Sequence, residues 1–93
     1  MQGKWHDVRG AKQLRYHFEA EVPKWVTTAQ LQRQLAEKLG VREGTVYFWR
    51  VGFRRPTPEM REALEGVLGI PQDAWLTQDE LARMRRIRRL RVA

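Results

Sequence analysis

The stretch from Gln32 to Val51, QRQLAEKLGVREGTVYFWRV, leaves this chain few ways to fold. It reads as two short helices joined by a tight turn. Leu35, Ala36 and Leu39 put an apolar stripe at helical spacing on the first. Gly40 follows where a helix must stop and the backbone must turn sharply, which a residue without Cβ does most cheaply. Val41 then fills the angle between the helices, and Val46 and Trp49, three apart, give the second helix an inward face. Ala36 is small where the two helices would cross closely. The expected helices run over about 28–39 and 43–51, in a mainly α fold.

A small residue, a glycine turn, an apolar plug and two inward apolar residues form the helix-turn-helix pattern, whose second helix reads the DNA major groove. A plain helical hairpin within an α-helical domain satisfies the same spacing. Further marks lie in one register without gaps: Leu-Ala-Glu-Lys-Leu-Gly-Val at 35–41, Thr45-Val46, Trp49, Gly52, Pro56 and Leu-Gly-Ile at 68–70. With them, residues 35–76, roughly half the chain, resemble the DNA-binding domain of the lambda-repressor/Cro-like (Xre) family. Gln32 stands where many members carry a glutamine at the start of the first motif helix. The resemblance implies a lambda-repressor-like helix-turn-helix bundle binding double-stranded DNA as a homodimer. The implied role is a sequence-specific transcriptional regulator, repressor-like and of phage or mobile-element type.

Carried over position by position, the resemblance implies base reading by Glu43, Gly44, Thr45 and Phe48. Glu43 could accept from a cytosine amino group, and Thr45 or Phe48 could touch a thymine methyl. Gly44 has no side chain to read with. This acidic, glycine-containing, aromatic set departs from the Gln or Ser that members often carry. Glu43 reads equally as a complement to the helix dipole, and Phe48 as a dimer or core residue. Phosphate contacts are expected from Gln32 with the amides at its helix N-terminus, from Arg42 in the turn, from Tyr47 at the groove wall, and from Arg50, Arg54 and Arg55.

The flanks divide the chain into an N-terminal segment, 1–26, the helix-turn-helix domain, 27–76, and a basic C-terminal helix, 77–93. Over 13–22, Gln13, Arg15, His17, Glu19 and Glu21 alternate with Leu14, Tyr16, Phe18, Ala20 and Val22. Period two with aromatics predicts a half-buried strand ended by Pro23, paired with residues 4–9 in a hairpin or with the same strand of a second chain. Ala11, Leu14, Phe18 and Val22 also share one helical face. The family places an amphipathic helix there, so a strand would be a departure and a candidate dimer element. Thr27 with Gln30 and Thr77 with Glu80 have capping-box spacing, and Thr57-Pro58 opens a third helix that Gly69 ends. A short helix around 71–76 and a last one over about 78–91 complete the expectation. In that last helix Leu81, Met84, Ile87 and Leu90 are surrounded by arginines. It reads as a solvated helix with a narrow docking stripe, as a phosphate-binding tail using Arg85, Arg86, Arg88 and Arg89, or as a basic surface for an acidic protein.

Charge sharpens the choice of partner. The net charge is +7, and residues 77–93 hold six arginines against Asp79 and Glu80. Such an excess favours a polyanion. Catalysis is not expected, since there is no Ser or Cys nucleophile and no Gly-rich phosphate loop. No cofactor or metal is expected either: His6 and His17, with Asp7, lack a recognised ligand spacing. Trp5, Tyr16, Phe18 and Trp25 could stack RNA bases, but core places suit them better. No membrane span or secretory leader is visible, and the absence of cysteine suits a cytoplasmic, nucleoid-associated protein. The competing reading is a protein-interaction role on the same fold, such as an antitoxin or a phage DNA-packaging or partner-binding protein.

Overall fold

Caps written into the sequence set most of the helix boundaries. The computed structural model describes residues 3–22 and 26–92, which are mainly helical and include no strand. α1 spans Arg9–Glu21, α2 Thr28–Leu39, α3 Glu43–Val51, α4 Pro58–Leu68 and α5 Gln78–Val92, with a 3-10 turn at Gln72–Trp75. α2 opens on a capping box: Gln30 N–H donates to Thr27 Oγ1 at 3.1 Å and Thr27 N–H to Gln30 Oε1 at 2.9 Å. α5 opens the same way, with Glu80 N–H to Thr77 Oγ1 at 3.2 Å and Thr77 N–H to Glu80 Oε1 at 2.9 Å. Thr57 caps α4 by accepting from Met60 N–H at 3.3 Å, with Pro58 at the helix start. Gly40, Gly52 and Gly69 close α2, α3 and α4 in the left-handed region, at φ 68°, 85° and 72°.

The strand expected over 13–22 is not formed. Those residues lie within α1 up to Glu21, which buries Ala11, Leu14 and Phe18 and leaves Tyr16 72% exposed. The helical face that competed with the period-two pattern is therefore the one used. A strand must find backbone partners, and the segment offered as partner is engaged elsewhere. Gly3 N–H donates to Val51 O at 3.2 Å and Trp5 N–H to Gly52 O at 2.7 Å, before Val8 N–H bonds back to Trp5 O at 3.3 Å. α1 itself packs on α3 and on the 3-10 turn. The dimer element expected from a strand here has no strand to use. Pro23, the expected stop, and Trp25, a candidate stacking residue, lie outside the described residues.

One core joins Val8, Leu14 and Phe18 to Leu35, Val46, Trp49, Leu64, Ile70 and Trp75. Trp75 is fully buried, and α1 passes so close that a methyl on Gly10 would run into its ring. α5 stands apart from this core: Leu81 is half-buried, residues 82–91 are exposed, and Leu90 reaches 78% exposure. Its anchor is Arg55, whose Nη1 donates to Glu80 Oε1 at 2.6 Å and to Trp75 O at 3.3 Å. The same guanidinium sits 3.8 Å from the centroid of the Trp5 ring. The Thr77 N–H foremost, and then Arg55, hold the Glu80 carboxyl down to about 2.

Candidate nucleic-acid interface

α3 turns one face outward because its other face is committed. Val46 and Trp49 are buried, and the helix packs on both α2 and α1. At about 100° per residue, the opposite side carries Gly44, Tyr47, Phe48 and Val51. The C-terminal end of the helix is tied down as well. Phe48 O accepts from the N–H groups of Gly52, Phe53 and Arg54 at 3.0, 2.9 and 3.3 Å. Arg15 reaches across from α1, donating from Nη1 to Arg50 O at 2.8 Å and from Nη2 to His6 O at 2.7 Å. A cation at a helix C-terminus also opposes the helix dipole favourably.

The expected base-reading residues do not form one set. Gly44 is exposed, with open space where a side chain would stand, and Thr45 is half-buried on the flank. Glu43 is exposed, but its Oε1 accepts from Arg33 Nε of α2 at 3.2 Å. Such exposed pairs contribute about 0–1 kcal/mol, yet this one gives the carboxylate a partner beside the turn. Phe48 is half-buried in an aromatic group, 5.9 Å from the Tyr47 ring and 6.2 Å from the Phe53 ring between centroids. Tyr47 is 40% exposed and Phe53 42%.

The expected phosphate ligands also divide by environment. Arg42 is exposed at the start of α3, and Arg54 is exposed beyond its end, with its guanidinium 5.1 Å from the Phe48 ring centroid. Arg50 is half-buried, 4.8 Å from the Phe18 ring and 5.5 Å from the Tyr47 ring, and its Nη2 lies 3.4 Å from Gln32 Oε1 as donor. Gln32 and Arg50 thus meet as a pair behind the outward face. Arg55 points inward with its side chain 20% exposed and holds α5. Arg85, Arg86, Arg88 and Arg89 are exposed along α5.

Phe53, Arg33 and Arg15 join the site through contacts that no local sequence signal marks. Phe53 was visible in the loop after Gly52, but its place against Phe48 follows from the turn there. Arg33 and Glu43 meet across the Gly40 turn, and Arg15 falls in the segment whose alternation predicts a strand. Compared with known proteins, the chain matches no family model, no curated protein and no solved structure. Among the described residues, no helix is long and apolar enough to cross a membrane, and no three His, Cys, Asp or Glu side chains are grouped to hold a metal ion.

Proposed function

We propose that this chain is a sequence-specific double-stranded DNA-binding regulator, repressor-like and of phage or mobile-element type. In this reading α2, the Gly40 turn and α3 are a helix-turn-helix of the lambda-repressor-like (Xre) kind, within a DNA-binding domain over 27–76. The observation that carries it is α3, a helix of 9 residues held from behind by α1 and α2, with its free face outward. Arg42 and Arg54 stand at the two ends of that face, where the phosphate backbone would pass. α3 enters the major groove, and a homodimer spans paired half-sites about one helical turn apart. The protein works in the cytoplasm at the nucleoid, without a cofactor and without catalysis.

The test is selection of bound sequences from random duplex DNA at two salt concentrations. A two-fold-symmetric site bound at least ~10³-fold tighter than bulk DNA is the expected result. Binding that is salt-sensitive but blind to sequence would refute it. A second reading is favoured by α5, which exposes Met84, Ile87 and Leu90 among its arginines. Phosphates have no use for those apolar groups, whereas an antitoxin or a packaging or partner-binding protein would use them against another protein. Substitutions on the Glu43–Phe48 face abolish function under the first reading, and substitutions on the 83–91 face, Met84, Ile87 and Leu90 included, abolish it under the second.

A further inference from the structure

We infer that α3 tells base pairs apart mainly by the 5-methyl group of pyrimidines, thymine above all, through the Tyr47, Phe48 and Phe53 rings. This rests on the duplex-binding reading above and names what the outward face recognises. Of the outward residues Gly44, Tyr47, Phe48 and Val51, Tyr47 alone carries a hydrogen-bonding side-chain group. Glu43, the acceptor that would select cytosine, is engaged by Arg33 at 3.2 Å. A face this poor in donors and acceptors reads little of the hydrogen-bond code in the major groove. The one apolar feature of that code is the thymine methyl; cytosine is bare at the same carbon.

The geometry suits such a contact. Gly44 leaves open space on the side from which a base edge would approach. The Phe48 ring, with Tyr47 and Phe53 packed at 5.9 and 6.2 Å, forms an apolar floor one turn further along. Aromatic and arginine surfaces also serve as protein-binding hot spots, but charge favours DNA here. Arg42 and Arg54 border the patch, and Glu43, the one carboxylate of α3, already has its cation.

The decisive experiment alters the DNA and leaves the full chain untouched. Random duplex pools are made once with thymine and once with deoxyuridine, and binding to each is measured at low and moderate salt. The site recovered from the thymine pool is then resynthesised with single thymine-to-deoxyuridine changes, and with thymine·adenine pairs replaced by cytosine·guanine or 5-methylcytosine·guanine. Each methyl removed from a contact should weaken binding about fourfold, from the transfer free energy of one buried carbon. The 5-methylcytosine pair should recover most of what the cytosine pair loses. A recovered site that binds equally with deoxyuridine overturns the methyl inference while leaving the regulator reading intact. Retention of neither pool at low salt removes the duplex-binding reading and this inference with it, and turns the aromatic face into a protein-docking surface.

Discussion

Arg54 and Arg55 are neighbours in sequence with opposite surroundings. Arg54 is exposed, against the Phe48 ring, and Arg55 is enclosed between Trp5 and Glu80. Replacing each by alanine should separate binding from stability. Arg54→Ala should leave the melting temperature within about 4 °C, because surface substitutions usually cost less than about 0.5 kcal/mol. It should also lower the salt slope of DNA binding by about one. Arg55→Ala should do the reverse: it removes hydrogen bonds to Glu80 and to Trp75 O, a loss of about 1–3 kcal/mol, with the salt slope unchanged. Paired thermal melts and salt titrations check both, and a slope change confined to Arg55→Ala would contradict the assignment. Gly10 is a second residue whose task is invisible in composition. It lets α1 lie against Trp75, so Gly10→Ala should cost about 1–3 kcal/mol by overpacking, read as a lower denaturation midpoint.

At the scale of elements, local chemistry and long-range contact divide the chain unevenly. α2, α4 and α5 begin at threonine caps, and α2, α3 and α4 end at glycine. These signals act between residues three or four apart and were legible in the sequence. α1 was not, because residues 13–22 satisfy both the period of a strand and that of a helix. Packing on α3 and the use of residues 3–8 to tie the end of that helix decided the matter. α5 makes the most direct test at this scale. The Glu80 carboxyl is lowered to about 2 from 4.5, so its stabilising contribution is complete above pH 4.5 and is lost as pH falls through about 2. Acid titration followed by circular dichroism should show loss of helix in that window, and Glu80→Gln should flatten the step. Beyond Leu81 the helix has little to pack on, and isolated helices of about 12–15 residues are marginal. Amide exchange should therefore quicken steadily from Leu81 towards Arg91, and uniform protection along α5 would show that a partner covers it.

For the whole molecule, the 51 × 27 × 22 Å extents describe a helical body with α5 reaching away from its core. The two ends of the chain are then not equivalent under deletion. Removing the N-terminal segment and α1 opens the core, because Val8, Leu14 and Phe18 belong to it. Removing residues 77–93 takes away six arginines and leaves that core in place. If those arginines meet phosphates, the shortened protein should keep its site preference while its salt slope falls by up to about six. Titrations at several salt concentrations decide it; an unchanged slope assigns α5 to a protein partner.

By itself the sequence determined the helices that carry a threonine cap or a glycine stop at one end or both: 28–39, 43–51, the helix opened by Thr57-Pro58, and the arginine helix after Thr77. It also determined that Val46 and Trp49 face inward, since their spacing admits one buried side. Only the tertiary structure decided that α1 is a helix and that Arg55 and Arg50 turn inward while Arg42 and Arg54 stay exposed. It alone paired Glu43 with Arg33. The physical reason is the same in each case. A cap or a helical face is settled by neighbours a few residues away, whereas the fate of a long cationic side chain depends on which ring, carbonyl or carboxylate the fold brings within reach.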